Sequence, residues 1–170
     1  MNEKKRTTAD IVALWYSRAF GAGCSPRAPG TVGSLLAIIL APWIFLPLGI
    51  GLRVCALFFI FITGSLAASR VEKMLGRKDP GEVVIDEVLG QWLTLLPLAE
   101  AGFVMCALAF VLFRFFDIAK PWPVRASENW LPGGAGIMID DVFAGLYALV
   151  VLQILLRLFP FGPVVYVVSF

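Results

Sequence analysis

Two charge-free runs limit what this chain can become. From Ala28 to Leu52 there are 25 consecutive residues without Asp, Glu, Lys or Arg, and after Arg53 another 16, from Val54 to Ser69. A helix crosses the hydrocarbon of a bilayer with roughly 20 apolar residues at about 1.5 Å rise each. In the whole chain 59% of the 170 residues are hydrophobic and 15% charged, against about 45–50% and about 25% in soluble domains. A single soluble domain of this length has too much surface to hide that much apolar material. The chain reads as a membrane protein, one domain over 1–170, and the same figures exclude a disordered chain, a disulfide scaffold and a nucleic-acid module.

The apolar runs lay out as a bundle. Thr31 to about Ile50 fills one span, with Pro42 and Pro47 kinking it or marking its end, and Pro47 to Gly51 with Arg53 reads as a short turn. Val54 to Ser69 returns. A polar segment follows from Arg70 to Glu87, then an apolar stretch from Val88 to Phe113 broken only by Glu100. Lys and Arg concentrate on the cytoplasmic side of membrane proteins. Three basic clusters (Lys4 to Arg6 with Arg18 and Arg27, Arg70 to Lys78, Arg114 to Arg125) can share one side only if residues 88–113 form a short hairpin, turning at Pro97–Gly102. A second polar segment ends at Asp140-Asp141, after which Val142 opens the last apolar region. That region crosses once or turns again at Pro160–Pro163. The basic and then apolar segment 1–23 is interrupted by Arg18, which favours an interfacial helix, with Trp15 and Tyr16 at the headgroups and Arg18 in water, over a secretory signal. The predicted fold is therefore all-α, a multi-pass transmembrane helix bundle of about four to six membrane helices with an N-terminal interfacial helix and every polar motif on the cytoplasmic face.

The polar residues define the chemistry. There is no histidine, so imidazole is unavailable as base, phosphoryl carrier or metal ligand. Cys24, Cys55 and Cys106 form no CxxC pair, and the last two sit in apolar runs as small hydrophobes. Carboxylates beside apolar runs are costly and tend to persist where paired or metal-bound. Asp86, Glu87, Asp117, Asp140 and Asp141 all meet that description, whereas Asp79 and Glu82 read as solvated loop charges. Oxygen ligands without imidazole select a hard cation, Mg²⁺ above all. The segment from Ser25 to Ser34 opens the first span with Arg27, Thr31 and Ser34 near a helix N-terminus, a ready anion site. Lys120 and Arg125 lie on a rigid Pro/Trp turn, Arg114 is placed to pair with Asp117, and Gly133–Gly136 reads as a flexible turn delivering Asp140-Asp141.

Metal-binding carboxylates, cations for phosphate and a lipid-facing bundle converge on phosphoryl chemistry at a membrane lipid. The cysteine phosphatase pattern, Cys-x5-Arg, fails because Gly30, Phe61 and Leu112 stand where Arg is required. Phosphohistidine enzymes are excluded, and no Asp-x-Asp nucleophile pair occurs.

Four segments, SPRAPGTVGS (25–34), VIDEVLGQW (84–92), FRFFDIAKPWPVR (113–125) and GGAGIMIDDVFAG (133–145), resemble in content and order the phosphatidylglycerophosphatase A family. That resemblance implies a Mg²⁺-dependent enzyme of phospholipid synthesis in the bacterial inner membrane, with its site facing the cytoplasm. It implies removal of the terminal phosphate of phosphatidylglycerophosphate, with membrane lipids as surroundings and no nucleic-acid partner. Mapped onto this chain, Asp86, Glu87, Asp117, Asp140 and Asp141 are the expected catalytic and metal-binding residues. Ser25, Arg27, Thr31, Ser34, Arg114, Lys120 and Arg125 are expected on the phosphate. A CDP-alcohol phosphatidyltransferase would also place Asp clusters at a bundle edge, but its Asp-Gly-x2-Ala-Arg run is absent. A small transporter or assembly factor with buried ion pairs is the non-enzymatic alternative, although no internal repeat supports a transporter.

Overall fold

The computed structural model describes residues 6–159. Lys4 and Lys5 and the expected turn at Pro160–Pro163 lie outside the described residues. All regular structure among the described residues is helical: α1 (Thr8–Ser17), a short irregular 3-10 stretch (Ala19–Cys24), α2 (Pro29–Ile44), α3 (Ile50–Leu75), α4 (Ile85–Thr94), α5 (Phe103–Ala119), α6 (Val124–Ser127) and α7 (Gly134–Leu158).

Local chemistry sets several of these boundaries. Thr7 and Asp10 form a reciprocal capping box that starts α1, satisfying N–H groups that the first turn leaves free. Pro29 opens α2, where its missing N–H costs nothing. Helix α3 stops at Gly76, whose φ of +67° is the left-handed conformation that glycine adopts without penalty. Leu95–Gly102 is not helical, so residues 88–113 form two arms, α4 and α5, rather than one continuous helix.

Two helices, α3 and α7, are long and apolar enough to cross a membrane, with mean hydropathies of 2.0 and 1.9 over their most apolar stretches. Those stretches are only 28% and 39% buried, unlike the core helix of a soluble protein, and they leave Phe58, Phe59, Ile62, Leu66 and Ile154 exposed. Two is fewer than the four to six expected. Helix α2 is apolar but has 16 residues, and α4 has 10.

Helix α7 is the hub, packing on α3, α4, α5 and α6, while α4 is wedged among α2, α3, α5 and α7. Trp92 of α4 donates its indole N–H to the Ala37 carbonyl at 2.9 Å and stacks on Phe45, 5.1 Å between centroids. Helix α1 lies on α3, held by Tyr16 and Thr63 (2.7 Å between hydroxyls) and by Arg70 on Asp10 (2.7 Å).

Three local expectations are corrected. Arg53, read as a turn residue, is fully buried inside α3. Asp140 and Asp141, read as sitting at a helix start after a flexible glycine turn, lie well inside α7, because Gly134 and Gly136 are themselves helical. The reason is tertiary: a Cβ at Gly134 would lie 2.3 Å from the Ser65 carbonyl oxygen, so the glycine lets α7 begin directly against α3. Arg18, expected in water, is partly covered by its ion pair with Glu82, whereas Trp15 is exposed.

Candidate functional site: a carboxylate cluster at one end of the bundle

The site is built on a helix crossing. A Cβ at Gly145 of α7 would lie 2.6 Å from the Gly90 carbonyl oxygen of α4, and one at Gly90 would lie 2.7 Å from the Asp141 carbonyl and 2.4 Å from the Phe113 ring. Only glycine at both positions lets the two backbones approach this closely. One turn before Gly90 stands Asp86, and one turn before Gly145 stands Asp141, so the crossing brings two carboxylates from distant sequence together.

Glu87 completes the group. One ligand oxygen from each of Asp86, Glu87 and Asp141 lies within 4.8 Å of the other two. Asp86 and Asp141 are buried, and Asp86 also accepts the Glu87 backbone N–H at 3.0 Å. Glu87 leans on the first turn of α2, where a Cβ at Gly30 would lie 2.0 Å from its Oε1. Arg114 of α5 reaches Asp117 at 2.7 Å and Glu87 at 3.8 Å. Its Nη1 also donates a long contact, 3.4 Å, to the Ser34 hydroxyl, which in turn donates to the Gly30 carbonyl at 2.9 Å.

Asp140, next in sequence to Asp141, points about 100° away on the helix and takes a different partner. Lys120 donates to it at 2.8 Å and to Glu128 at 2.5 Å. Lys120 occupies the left-handed region at φ +43° as α5 ends, an uncommon conformation for a residue with a Cβ. Burial alone would lower its pKa, but the hydrogen bonds and charges of Asp140 and Glu128 outweigh that and raise it above the ordinary lysine range.

Of the twelve residues expected at the site, the structure brings Asp86, Glu87, Asp117, Asp141, Arg114 and Ser34 into one contiguous group, with Asp140 and Lys120 beside it. Thr31 sits half-buried in the first turn of α2. Ser25 hydrogen-bonds the Arg27 carbonyl at 2.8 Å. Arg27 and Arg125 are exposed and, among the described residues, form no ion pair with the cluster. Sequence reasoning missed Gly30, Gly90, Gly145 and Glu128. A usable signal existed for two of them: Gly90 and Gly145 each follow an acidic residue by four.

The donor set suits a hard divalent cation. Glu87 Oε2 and Asp140 Oδ1 are buried without a hydrogen-bond partner, an arrangement that is costly unless a cation completes it. Three clustered carboxylates in a chain without histidine match Mg²⁺ or Mn²⁺ rather than zinc or copper.

An all-helical chain with membrane-length helices and a buried carboxylate cluster flanked by Arg and Lys has the build of a membrane-associated enzyme acting on phosphate esters. Residues 15–156 match the family described as phosphatidylglycerophosphatase A. The chain belongs to that family. It is 37% identical over 156 residues to phosphatidylglycerophosphatase A of Escherichia coli, an alignment covering 87% of each chain. With the Haemophilus influenzae protein of the same name it shares 38% over 132 residues, 78% of this chain and 81% of the relative. A protein from Bacteroides thetaiotaomicron, provisionally named a phosphatidylinositol-3-phosphatase, is 43% identical over 141 residues, 79% of this chain and 87% of the relative. No solved structure matches the chain.

Proposed function

We propose that this chain is a Mg²⁺-dependent phosphatase that hydrolyses the terminal phosphomonoester of phosphatidylglycerophosphate, yielding phosphatidylglycerol and phosphate for phospholipid synthesis. The observation that carries the reading is the convergence of Asp86, Glu87 and Asp141 within 4.8 Å, in a chain whose named relatives include two phosphatidylglycerophosphatases A.

Asp86, Glu87 and Asp141 would hold the cation, with Asp117 and Asp140 at its margins. A bound Mg²⁺ supplies Lewis acidity toward a phosphoryl oxygen, which is what a site without histidine needs. Arg114 and Lys120 offset the charge of the phosphate. The N-terminus of α2, which no side chain caps, presents backbone N–H groups and the Thr31 hydroxyl to an anion, while buried Ser34, whose proton goes to the Gly30 carbonyl, supports Arg114 from behind. Exposed Arg27 and Arg125 at the rim attract the anionic headgroup, with half-buried Ser25 beside Arg27. In the reaction a water oxygen bonds to phosphorus, the ester P–O bond breaks, and the glycerol oxygen leaves with a proton.

The surface charge supports a site on the cytoplasmic face of the inner membrane. Arg18, Arg27, Arg70, Lys73, Arg77, Lys78, Lys120 and Arg125 lie toward the carboxylate end. The far end carries exposed Glu100 and Arg157, the bias expected of a cytoplasmic side. In this arrangement α2 and the α4–α5 hairpin enter the bilayer beside α3 and α7, giving the multi-pass bundle, and α1, packed along the last turns of α3 at the membrane surface, turns Trp15 outward.

The Bacteroides relative favours a second substrate, phosphatidylinositol 3-phosphate, which presents the same phosphomonoester on another alcohol. Both readings are tested with the purified chain in mixed micelles, offered each lipid with Mg²⁺ or with a chelator. Phosphate release from phosphatidylglycerophosphate, lost on chelation and absent in Asp141→Asn, supports the proposal. Release only from the inositol lipid replaces the substrate, and release that survives chelation removes the metal.

A further inference from the structure

Gln91 is a buried polar side chain beside the site that the roles above leave unused. It lies on α4, fully buried, and neither its Oε1 nor its Nε2 has a hydrogen-bond partner. Burying an amide without partners is costly, and native proteins keep few such groups. Its helix neighbours Leu89 and Trp92 are apolar and buried, so packing alone gives no reason for a glutamine.

Its place on the helix supplies one. Gln91 follows Glu87 by four residues and shares its face, the face that Glu87 presents to Gly30 of α2 and Arg114 of α5. Glu87 Oε2 is likewise buried and unpartnered, as is Arg114 Nε. The chemistry of the three is complementary: the amide N–H groups match the carboxylate oxygen, and the amide oxygen matches the guanidinium N–H.

We propose that Gln91 is a positioning residue for Glu87. Its amide donates to Oε2, directly or through one buried water, and holds the carboxylate turned toward Asp86 and Asp141 when the cation binds. Partners of this kind, behind the ligands, orient metal sites and set their affinity. The inference rests on the metal site proposed above, so its test separates the two.

The full chain in detergent micelles is titrated with Mn²⁺ alone, followed by electron paramagnetic resonance. The parent, Gln91→Met, Gln91→Asn and Asp141→Asn are compared. Gln91→Met and Gln91→Asn, the second too short to reach Glu87, are each expected to weaken Mn²⁺ binding by about 10–100-fold. The metal-free melting temperature of Gln91→Met stays level or rises, because a similarly sized apolar side chain removes an unpaired buried amide. In phosphate release the Mn²⁺ concentration for half-activity rises in step while the KM for lipid is unchanged. A purely structural glutamine gives the opposite pattern, a lower melting temperature with unchanged affinity. Parent-like Mn²⁺ binding by Gln91→Met, or by Gln91→Asn should the first variant not fold, overturns the inference and leaves the metal site standing. A parent that binds no Mn²⁺, or an Asp141→Asn that binds it normally, overturns both.

Discussion

The two ends of the bundle bury charge in opposite ways. At one end Arg53 is fully enclosed, yet its guanidinium donates to the carbonyls of Leu48 and Leu96, each at 2.9 Å, and to those of Leu46 and Leu98, while it lies over the Phe45 ring. Those carbonyls belong to the turns after α2 and α4, so one cation fastens both. At the other end, beside Gly64, whose Cβ position meets Ile85 and Met138, about 17 Å along α3 by helical rise from Arg53, like charges are gathered and two carboxylate oxygens go without partners. The first end is complete in itself. The second is complete only with something positive added, and that asymmetry separates a structural charge from a functional one.

The sharpest way to break the comparison is to remove charge from each end and read activity and stability separately. Asp141→Asn is expected to lower Mg²⁺-dependent phosphate release by about a thousand-fold or more, since loss of partners behind the ligands already costs about 10–100-fold. Its metal-free melting temperature should hold or rise, because the change relieves repulsion among buried carboxylates. A large fall in melting temperature would show that the cluster is structural. Arg53→Met should do the reverse. It strands several buried carbonyls and costs about 3 kcal/mol or more, seen by denaturant unfolding in micelles, while activity per folded molecule is retained. Full stability in that variant would mean that the two turns are held by packing alone.

How far these ends could be read in advance depended on what holds each together. The charge-free runs marked α2 and α3, and Pro97–Gly102 marked the break between α4 and α5, because apolar periodicity and turn residues act locally. The Arg114–Glu87 contact then follows from the hairpin. Arg53 was misplaced because its ligands are backbone carbonyls, which leave no trace in residue type. The start of α7 was missed because Gly134 and Gly136 argue against helix by propensity, whereas close contact with α3 and neighbouring turns overrides it. The acidic residues were legible as a set, but their division was not. That Asp141 joins Asp86 and Glu87 while Asp140 turns to Lys120 is decided by the rotation of α7 about the Gly90–Gly145 contact.

That contact supplies a smaller perturbation. In Gly145→Ala the new methyl would meet the Gly90 backbone at 2.6 Å, which cannot swing aside as a side chain can, so α4 and α7 must separate. The expected cost is about 1–3 kcal/mol, with activity falling as Asp141 moves away from Asp86. Paired melting and phosphate-release measurements check this, and an alanine tolerated in both would mean that the crossing does not set the cluster.

Gly30→Ala should give the smallest change and the cleanest separation of the two readouts. Here the added Cβ would lie 2.0 Å from Glu87 Oε1 and 3.2 Å from Arg114 Nη1, both ends of flexible side chains, so the side chains yield and the backbone stays. Gly30 lies in the first turn of α2, where alanine is the better helix former by up to about 1 kcal/mol, and stability should be level or slightly higher. The displaced carboxylate should lower phosphate release by about tenfold at fixed Mg²⁺, the low end of what disturbing a metal site costs, and raising Mg²⁺ should recover part of it. Unchanged activity would mean that Glu87 need not rest against α2 to function. A loss that excess Mg²⁺ does not relieve would instead assign Gly30 to the phosphate, through the backbone N–H groups that open the helix.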